Sequence, residues 1–396
     1  MQQISENKAL VVGGGIGGLT AALCLAKEGW QVTVFEQAGE ISEVGAGLQL
    51  SPNCTRVLYW LGLDAALSTI ACVPESMRIL DWKSGRLLSS TPLGTEITAV
   101  FGFPYYQVLR SDLIRILRNA ASASPLIDIQ TDARVESIQE STSGVNIQLG
   151  SKIISGDCLI GADGLHSTVR ALLLGQESAP FTGQVAWRCL VPADAFPAEL
   201  QNPVTSLWLG PGKHFVHYYV HNRQFINCVA VVEKSKEELE SWMQPGDALE
   251  LAKTFAGWHP LIETLVQHID PDSCFKWALY GRKVLPFWSR GRITLLGDAC
   301  HPTLPFMAQG AAMAIEDAAV LSQCLGGSGR TKRLTENLKK YESLRLQRTA
   351  RIQAFSRANA RIYHMKGPAT WLRNVLLAKG SHRVMKWLYA YDALSA

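Results

Sequence analysis

The stretch from Ala9 to Glu36 constrains the fold most, because it has the pattern of a strand, a tight turn, a helix and a second strand. Residues 9–12 form a short apolar run of the kind found in buried parallel strands. Glycines follow at once with the spacing G-x-G-x-x-G, and a second apolar run comes about one helix later. The stretch therefore predicts the first βαβ unit of a parallel sheet.

The three glycines of this turn predict a bound dinucleotide. Gly13 permits the tight turn, Gly15 lets the backbone approach a pyrophosphate, and Gly18 lets helix and strand pack closely. The helix N-terminus then points its positive end at the phosphates. Glu36 closes the second strand 18 residues after Gly18, where a carboxylate can accept hydrogen bonds from ribose hydroxyls. The spacing leaves FAD and NAD open, and a glycine-rich turn without a ligand is the simpler alternative.

Composition limits the class of protein. With 396 residues, 47% hydrophobic and 18% charged, the chain is long enough for two well-packed domains. A net charge of +4 gives no reason to expect nucleic acid or a membrane surface as partner. Nine cysteines without a C-x-x-C pair, and a polar N-terminus without a signal peptide, predict a cytoplasmic protein with reduced thiols. We expect no metal and no membrane span.

Two later segments also place acidic residues after apolar strands. Residues 158–162 lead into Asp163-Gly164, and Arg170 follows at the start of a helix. Residues 292–296 lead into Gly297-Asp298. Ligands of open α/β sheets bind at the carboxyl ends of the strands, so both segments are candidates for the same site. The simpler alternative for the first is an aspartate that caps a helix and an arginine on a solvated face.

The middle and the end of the chain have sequence patterns that differ from this α/β pattern. Residues 181–280 are rich in aromatic side chains and alternate like antiparallel strands, as do short segments in 77–106. Residues 332–362 form a long basic amphipathic pattern, and Pro368 breaks it before a final pair of helices. We predict one discontinuous domain from 1–76, 101–180 and 281–330, a sheet domain from 77–100 and 181–280, and C-terminal helices over 331–396.

The three signatures together resemble the single-component FAD-dependent aromatic hydroxylases, which are flavoprotein monooxygenases. They are the glycine turn with Glu36, the D-G-x-x-S-x-x-R run at 163–170 and the G-D-A-x-H-P run at 297–302. The segments GAGLQLSPN, WLGPGKHFVHYYV and PFMAQGAAMAIEDAA are most similar to the branch of salicylate hydroxylase, 3-hydroxybenzoate 6-hydroxylase and 6-hydroxynicotinate monooxygenase.

The resemblance implies an α/β fold: a Rossmann-like FAD-binding domain with an inserted antiparallel-sheet substrate domain and a C-terminal helical segment. It implies tightly but non-covalently bound FAD, with NADH or NADPH as a transient co-substrate. The expected reaction is hydroxylation of a small aromatic acid such as salicylate or a hydroxybenzoate, using O₂ through a flavin C4a-hydroperoxide. The expected oligomeric state is a monomer or a homodimer.

The resemblance also assigns cofactor-binding residues. Gly13, Gly15, Gly18 and Glu36 would hold the ADP half of FAD. Ala46 would lie close to the flavin ring, Arg110 would contact the linker, and Asp298 would hydrogen-bond the ribityl chain. Asp163 and Arg170 would lie where the pyrophosphate and NAD(P)H meet, and Gly310 and Ala311 would lie at the pyrimidine edge of the flavin. The N–H groups at Gly310 and Ala311 begin a helix, and they would stabilise negative charge on the reduced flavin. Pro302 would form part of the wall of the substrate pocket.

A base is expected near the substrate, because a phenol becomes a better nucleophile when it loses its proton. On a strand, His214 and Tyr218 point to one face, while His217 and Tyr219 point to the other. The resemblance favours His214 as the base and Tyr218 as a polar positioning group. A structural histidine in an aromatic sheet is the simpler alternative.

Other functions fit parts of the pattern. Arg188 and Gln49 are candidates for binding a substrate carboxylate. An epoxidase or oxidative cyclase of the same fold, acting on a larger apolar substrate, would need no such anchor. An NAD-dependent dehydrogenase would use the glycine turn but not the segments at Asp163 and Asp298. A non-catalytic FAD-binding module is the third alternative.

Overall fold

The computed structural model describes residues 7–41, 46–175, 179–195, 202–234, 245–327 and 333–396. The strands are Lys8–Val12 (β1), Gln31–Phe35 (β2), Gly47–Leu50 (β3), Ser76–Asp81 (β4), Leu87–Pro92 (β5), Tyr106–Leu109 (β6), Ile127–Gln130 (β7), Ser137–Glu140 (β8), Val145–Leu149 (β9), Lys152–Gly156 (β10), Cys158–Gly161 (β11), Phe181–Pro192 (β12), Val204–Gly210 (β13), Lys213–Val220 (β14), Phe225–Glu233 (β15), Phe275–Tyr280 (β16), Ser289–Arg290 (β17) and Ile293–Leu295 (β18). The helices are Ile16–Lys27 (α1), Pro52–Trp60 (α2), Asp64–Ile70 (α3), Gly94–Phe101 (α4), Arg110–Ser122 (α5), Thr168–Leu174 (α6), Ala248–Thr254 (α7), Pro260–Gln267 (α8), Gly310–Leu325 (α9), Leu334–Tyr363 (α10) and Ala369–Tyr389 (α11).

A mostly parallel sheet organises the nucleotide-binding part, in the order β17-β18-β11-β1-β2-β7. β1 pairs in parallel with β2 and β11, and β11 pairs in parallel with β18. Because the carboxyl ends of parallel strands meet at one edge, the chain leaves the sheet there at Gly13, Glu36, Asp163 and Gly297. Helix α1 packs against this sheet and α9 packs along α1, and their apolar faces form the main hydrophobic core with the sheet.

A second, largely antiparallel sheet has the order β16-β12-β15-β14-β13-β4-β5. In the register of its central strands, His214 pairs with Val231, and Val231 pairs with Ala186. Paired residues share a face, so the face that carries His214 is here called the inner face. The inner face packs against the 305–307 turn and α10, while the opposite face is covered by α7 and α8.

A two-stranded ribbon and the C-terminal helices join the two sheets. β3 and β6 form the ribbon, and the N–H of Gly47 donates to the side-chain oxygen of Asn227 in β15 over 2.7 Å. A Cβ at Gly47 would lie 2.5 Å from the Asn227 side chain, so the ribbon and the sheet approach closely only with glycine there. α10 packs along α9 and against the 305–307 turn.

Two local expectations are wrong. The tail after Pro368 is one helix, α11, rather than a pair, because the helix continues through Gly380. A glycine inside a helix costs only about 1 kcal/mol relative to alanine. Residues 94–101 form α4 instead of a strand, since Gly102 adopts a left-handed conformation (φ 79°) that ends a helix there.

The expected fold class is confirmed, with a parallel nucleotide-binding sheet, an antiparallel sheet and a helical C-terminus. The exact domain boundaries stay a prediction. Among the residues that the structure describes, no helix is both long and apolar enough to cross a membrane.

Candidate active site

A cleft of about 440 Å³ lies at the carboxyl edge of the parallel sheet, and all three signatures contribute to it. The first turns of α1 and α9 also line it, which brings two positive helix ends to the same space. The sequence-predicted residues in its lining are Gly13, Gly15, Glu36, Arg110, Asp163, Asp298, Gly310 and Ala311. Lining residues that the sequence did not indicate include Gln37, Arg134, His166 and Thr168.

The glycines of the first turn differ in what surrounds them. Gly13 has a φ of 107°, and a Cβ there would lie 2.4 Å from the carbonyl oxygen of Ala162. A Cβ at Gly18 would lie 1.9 Å from the carbonyl oxygen of Gly13, which explains why Gly18 packs the helix and does not line the cleft. A Cβ at Gly15 would meet no atom within 4 Å. Gly15 therefore faces open space in the cleft.

Glu36 closes the turn from the end of β2. Its carboxylate accepts hydrogen bonds from the N–H of Gly14 at 2.7 Å and the N–H of Ala38 at 3.0 Å. These contacts fix the carboxylate beside the glycine turn, at the rim where the sequence places a ribose.

The Asp163 segment has a structural role as well as a place in the cleft. The Asp163 carboxylate accepts from the Ser167 hydroxyl at 2.5 Å and from the N–H of Val169 at 3.0 Å, so it helps to start α6. Arg170 is buried rather than solvated. Its guanidinium donates to the carbonyl oxygens of Ala299 and Leu165 and ties the two loops together behind the cleft.

The opposite charges of Asp298 and Arg110 attract each other at the inner end of the cleft. Burial raises the pKa of Asp298, although His301 and Arg110 oppose that shift. Burial and the nearby positive charge of Arg188 lower the pKa of Arg110 to about 10. Arg110 thus stands between the cleft and the inner face, where Arg188 lies.

A buried polar network holds the N-terminus of α9, and the sequence patterns did not indicate it. The Asn53 amide donates to Glu316 at 2.6 Å and to the side chain of Gln309 at 3.2 Å. Gln309, just before Gly310, donates to the Ser51 hydroxyl at 3.0 Å. Arg348 of α10 pairs with Glu316 at 2.7 Å. Because these partners come from three distant segments, no local spacing could have revealed them.

A second buried cluster fixes the loop that carries Asp298. Asp317 accepts from the N–H of Gly297 at 3.1 Å, lies 2.5 Å from Nε2 of His301 and pairs with Arg345 at 2.6 Å. Burial alone would raise the pKa of Asp317, but His301 and Arg345 lower it to about 2. Cys300, His301 and Asp317 also have metal-ligand spacing. Here Arg345 already pairs with the Asp317 carboxylate, and the His301 ring already contacts it.

The inner face of the sheet presents two polar side chains of β14, His214 and Tyr218. His214 is buried, and its ring packs against Phe306 and Tyr363. Tyr218 is buried further along β14, where its hydroxyl bonds to Gln49 of the ribbon and Arg188 lies nearby. His217 and Tyr219 point to the opposite face, as expected from strand alternation.

Arg188 lies on the same face, two strands from β14. Its guanidinium stacks over the ring of Trp277 with 4.8 Å between guanidinium carbon and ring centroid. Two strand spacings and one row of the sheet put its Cα roughly 12 Å from that of His214. That span suits a small aromatic ring held between two side chains.

Besides Gly18 and Arg170, two further predicted residues, Ala46 and Pro302, lie beside the cleft rather than in its lining. The carbonyl oxygen of Ala46 accepts from the N–H of Arg110 at 2.8 Å, so Ala46 fixes the start of α5. The carbonyl oxygen of Pro302 accepts from Gln353 of α10 at 2.8 Å. Gly45, the first residue of the GAGLQLSPN segment, lies outside the described residues.

Comparison with known proteins places this geometry in a family. The FAD binding domain family matches residues 6–356. A 3-hydroxybenzoate 6-hydroxylase of Aquipseudomonas alcaligenes is 35% identical, covering 98% of this chain and 99% of that protein. A 6-hydroxynicotinate 3-monooxygenase of Bordetella bronchiseptica is 34% identical, covering 96% of this chain and 94% of that protein.

Two solved structures are similar to this chain over almost its whole length. Klebsiella pneumoniae HpxO, complexed with FAD and uric acid, has a TM-score of 0.85 at 27% identity, covering 98% of this chain and 97% of that chain. A salicylate hydroxylase substrate complex has a TM-score of 0.83 at 25% identity, covering 99% and 97%.

The chain belongs to the FAD binding domain family. The expectations of FAD as cofactor and of an FAD-dependent monooxygenase of the aromatic-hydroxylase type are confirmed. The cleft itself fits FAD, because two helix N-termini line it and Gly15 leaves open space where a pyrophosphate needs close approach.

Proposed function

We propose that this enzyme hydroxylates a small phenolic or N-heteroaromatic acid on the inner face of the sheet, with NADH or NADPH as reductant and O₂ as oxidant. The observation that carries the proposal is the meeting of the FAD cleft with a face that presents His214, Tyr218 and Arg188. The relatives named for 3-hydroxybenzoate and 6-hydroxynicotinate support the substrate class.

The cleft residues would hold FAD along its length. Gly13, Gly15 and Glu36 suit the ADP half, with Gly18 supporting the turn. Arg110 and Asp298 suit the linker and the ribityl chain, and Gly310 and Ala311 suit the pyrimidine edge of the flavin. Asp163 suits the pyrophosphate with a visiting nicotinamide, while Arg170 positions that loop. When bound, FAD supplies the activation of dioxygen.

The protein's own contribution is to bind, orient and deprotonate the aromatic substrate. Burial lowers the pKa of His214 well below the usual histidine range, so the imidazole is neutral near pH 7 and can accept a proton. Phe306 and Tyr363 keep water from that ring, and Tyr218 with Gln49 offers a polar contact. Arg188 would bind the carboxylate. Pro302, tied to α10, would form part of the wall.

The polar groups on the inner face favour an aromatic acid over the alternatives. An epoxidase or oxidative cyclase acting on a larger apolar substrate would need no guanidinium on this face, whereas an aromatic acid brings a carboxylate that Arg188 can bind. An NAD-dependent dehydrogenase would not need the converging loops at Asp163 and Asp298. We further propose a cytoplasmic monomer or homodimer, which the nine buried free thiols support.

The test is a substrate screen with the purified holoenzyme. 3-Hydroxybenzoate, salicylate, 6-hydroxynicotinate and 3-amino-4-hydroxybenzoate should be compared for stimulated NADH and NADPH oxidation, with product analysis to separate hydroxylation from peroxide release. At least one should stimulate oxidation and give a hydroxylated product. Stimulation by none of them, or peroxide as the sole product, would contradict the proposal.

Matched histidine variants locate the chemistry. His214→Asn should lower turnover about 10²-fold or more while FAD stays bound, which is the usual loss for a general base. His217→Gln changes the same residue type on the same strand but on the opposite face, and it should leave turnover near the wild-type value. Equal effects would show that neither histidine acts on the substrate.

A further inference from the structure

A chain of titratable side chains leads from His214 to the protein surface. Nδ1 of His214 lies 2.8 Å from Nε2 of His364, which directly follows α10. Nδ1 of His364 lies 3.6 Å from the carboxylate of Glu233 at the end of β15. The side chain of His364 is 1% exposed and that of Glu233 is 41% exposed, so these two contacts span the buried interior and the solvent.

We propose that His364 and Glu233 form a proton path that carries the proton taken up by His214 out to solvent. This inference rests on the proposed function, because the proton comes from the hydroxyl group of the aromatic substrate. His364 contacts neither substrate nor cofactor in this scheme and is a positioning and relay residue.

The surroundings of the pair explain why a path is needed. Burial disfavours an imidazolium at His214, and a proton on the His364 ring would disfavour it further, so His214 cannot keep a proton. Burial also lowers the pKa of His364 to about 4, although Glu233 opposes that shift. A proton accepted at His214 therefore stays on neither ring and leaves at the Glu233 end, where solvent can take it.

The transfer leaves neither ring charged. The substrate hydroxyl gives its proton to Nε2 of His214, the proton on Nδ1 of His214 passes to Nε2 of His364, and the proton on Nδ1 of His364 leaves toward Glu233. Each imidazole then holds one proton, on the other nitrogen. Because 3.6 Å exceeds a direct hydrogen bond, the last transfer runs through one bridging water or a small rotation of the exposed carboxylate.

Neighbouring groups support this direction. Nε2 of the Gln184 amide lies 3.3 Å from Nδ1 of His364 and, as a donor, can hydrogen-bond to that nitrogen once its proton has left. Tyr363 faces His214 with ring centroids 5.5 Å apart, and burial raises its pKa to about 12, so it stays neutral. Lys366 pairs with Glu233 at 2.7 Å and holds that carboxylate at the surface. Lys213, on the same strand, stacks over Phe255 on the opposite face and takes no part.

The proton itself can be measured without turnover. Oxidised holoenzyme is mixed in a stopped-flow instrument with 3-hydroxybenzoate or 6-hydroxynicotinate, in weak buffer with a pH indicator and without NADH or NADPH. Ligand absorbance reports its ionisation, and the indicator reports proton release. We expect wild-type enzyme to ionise the ligand and to release its proton at the same rate.

The decisive variant is His364→Gln, because glutamine can keep the hydrogen bond to His214 but cannot pass a proton on. It should slow proton release about tenfold or more, with ligand affinity and FAD content nearly unchanged. Glu233→Gln should slow release severalfold. His217→Gln is the matched control on the opposite face and should release the proton at the wild-type rate.

The outcomes separate the two proposals. Wild-type release rates in His364→Gln would overturn the path and would leave the proposed function standing. If neither ligand binds to or ionises on the wild-type enzyme, and none stimulates NADH or NADPH oxidation, the proposed function fails, and the path fails with it. If His364→Gln loses ligand affinity in proportion to its release rate, His364 acts by shaping the pocket and the path is wrong.

Discussion

The FAD cleft depends mainly on backbone groups, whereas the inner face of the antiparallel sheet depends mainly on side chains. The cleft is formed by backbone at strand ends and helix starts, with glycines where the space is tightest. The inner face depends on side chains, and its key histidine contact joins residues 150 positions apart. Substitutions in the cleft should therefore act through backbone space and cofactor retention, whereas those on the inner face should act through charge and proton transfer.

The largest effect is expected at Gly18. In Gly18→Ala the new Cβ would lie 1.9 Å from the carbonyl oxygen of Gly13, and neither backbone can move without disturbing the turn. We expect loss of folded, soluble protein, measured by expression yield and circular dichroism. If Gly18→Ala folds with normal FAD content, the cleft does not depend on backbone space in the way proposed here.

Gly15→Ala is the matched control. Its Cβ would meet no protein atom within 4 Å, and Gly15 has an ordinary negative φ of −77°, so the apo-protein should keep its melting temperature. Only a bound pyrophosphate would clash with the methyl group. Loss of FAD from a stable Gly15→Ala protein would assign this turn to the cofactor.

This contrast also explains how much could be predicted from the sequence. The cleft was predictable because Gly13, Glu36, Asp163 and Asp298 each follow an apolar strand, and parallel strands bring their ends to one edge. Strand alternation likewise placed His214 and His217 on opposite faces.

Contacts between distant segments were not predictable in this way in either region. His364 meets His214 only through the path of α10, and Asn53 meets Glu316 only through the packing of α2 on α9. Contacts between distant segments leave no period or spacing in the sequence. The dual role of Asp163, as cleft residue and helix start, also needed coordinates.

The next largest effect tests whether α10 supports the cleft. Arg345 is fully buried between Asp317 and Glu316, so Arg345→Met leaves Asp317 without its arginine and leaves Glu316 with Arg348 alone. Breaking a buried pair in this way costs about 3–5 kcal/mol of unfolding free energy. Denaturant unfolding measures it. Arg351→Met, on the exposed side of the same helix, should cost about 1 kcal/mol or less, and equal losses would contradict the support role.

Acid should destabilise the sheet through its buried histidines. Burial lowers the pKa of His217 and of His364 to about 4, against about 6.5 in an unfolded chain. Below pH 6.5 the unfolded state binds more protons, so stability is complete above about pH 6.5 and falls as the pH drops toward 4. Each residue accounts for at most about 3 kcal/mol.

The check is the difference between wild type and His217→Gln in urea unfolding between about pH 7 and pH 5. The variant should lose less stability on acidification, since it lacks one titrating group, and its turnover should stay unchanged. A difference that does not vary with pH would show that His217 is not held neutral by burial. This result would sharpen the separation between the two faces of β14.

The smallest expected effect concerns two neighbouring arginines, one in each region. Arg188→Met should raise the KM for carboxylate-bearing substrates about 10- to 100-fold, which corresponds to the loss of a charged hydrogen bond of about 1.5–3 kcal/mol, while FAD remains bound. Arg110→Met should instead weaken FAD retention, because Arg110 lines the cleft. Arg188→Lys should restore part of the affinity, since it keeps the charge but not the planar fork. A phenol without a carboxylate should bind equally to wild type and Arg188→Met. If Arg188→Met loses FAD, or if it weakens the binding of both the carboxylate-bearing substrate and the phenol, the Arg188 guanidinium supports the cofactor. Arg188 and Arg110 would then belong to the same region, and the comparison between cleft and inner face would fail at this point.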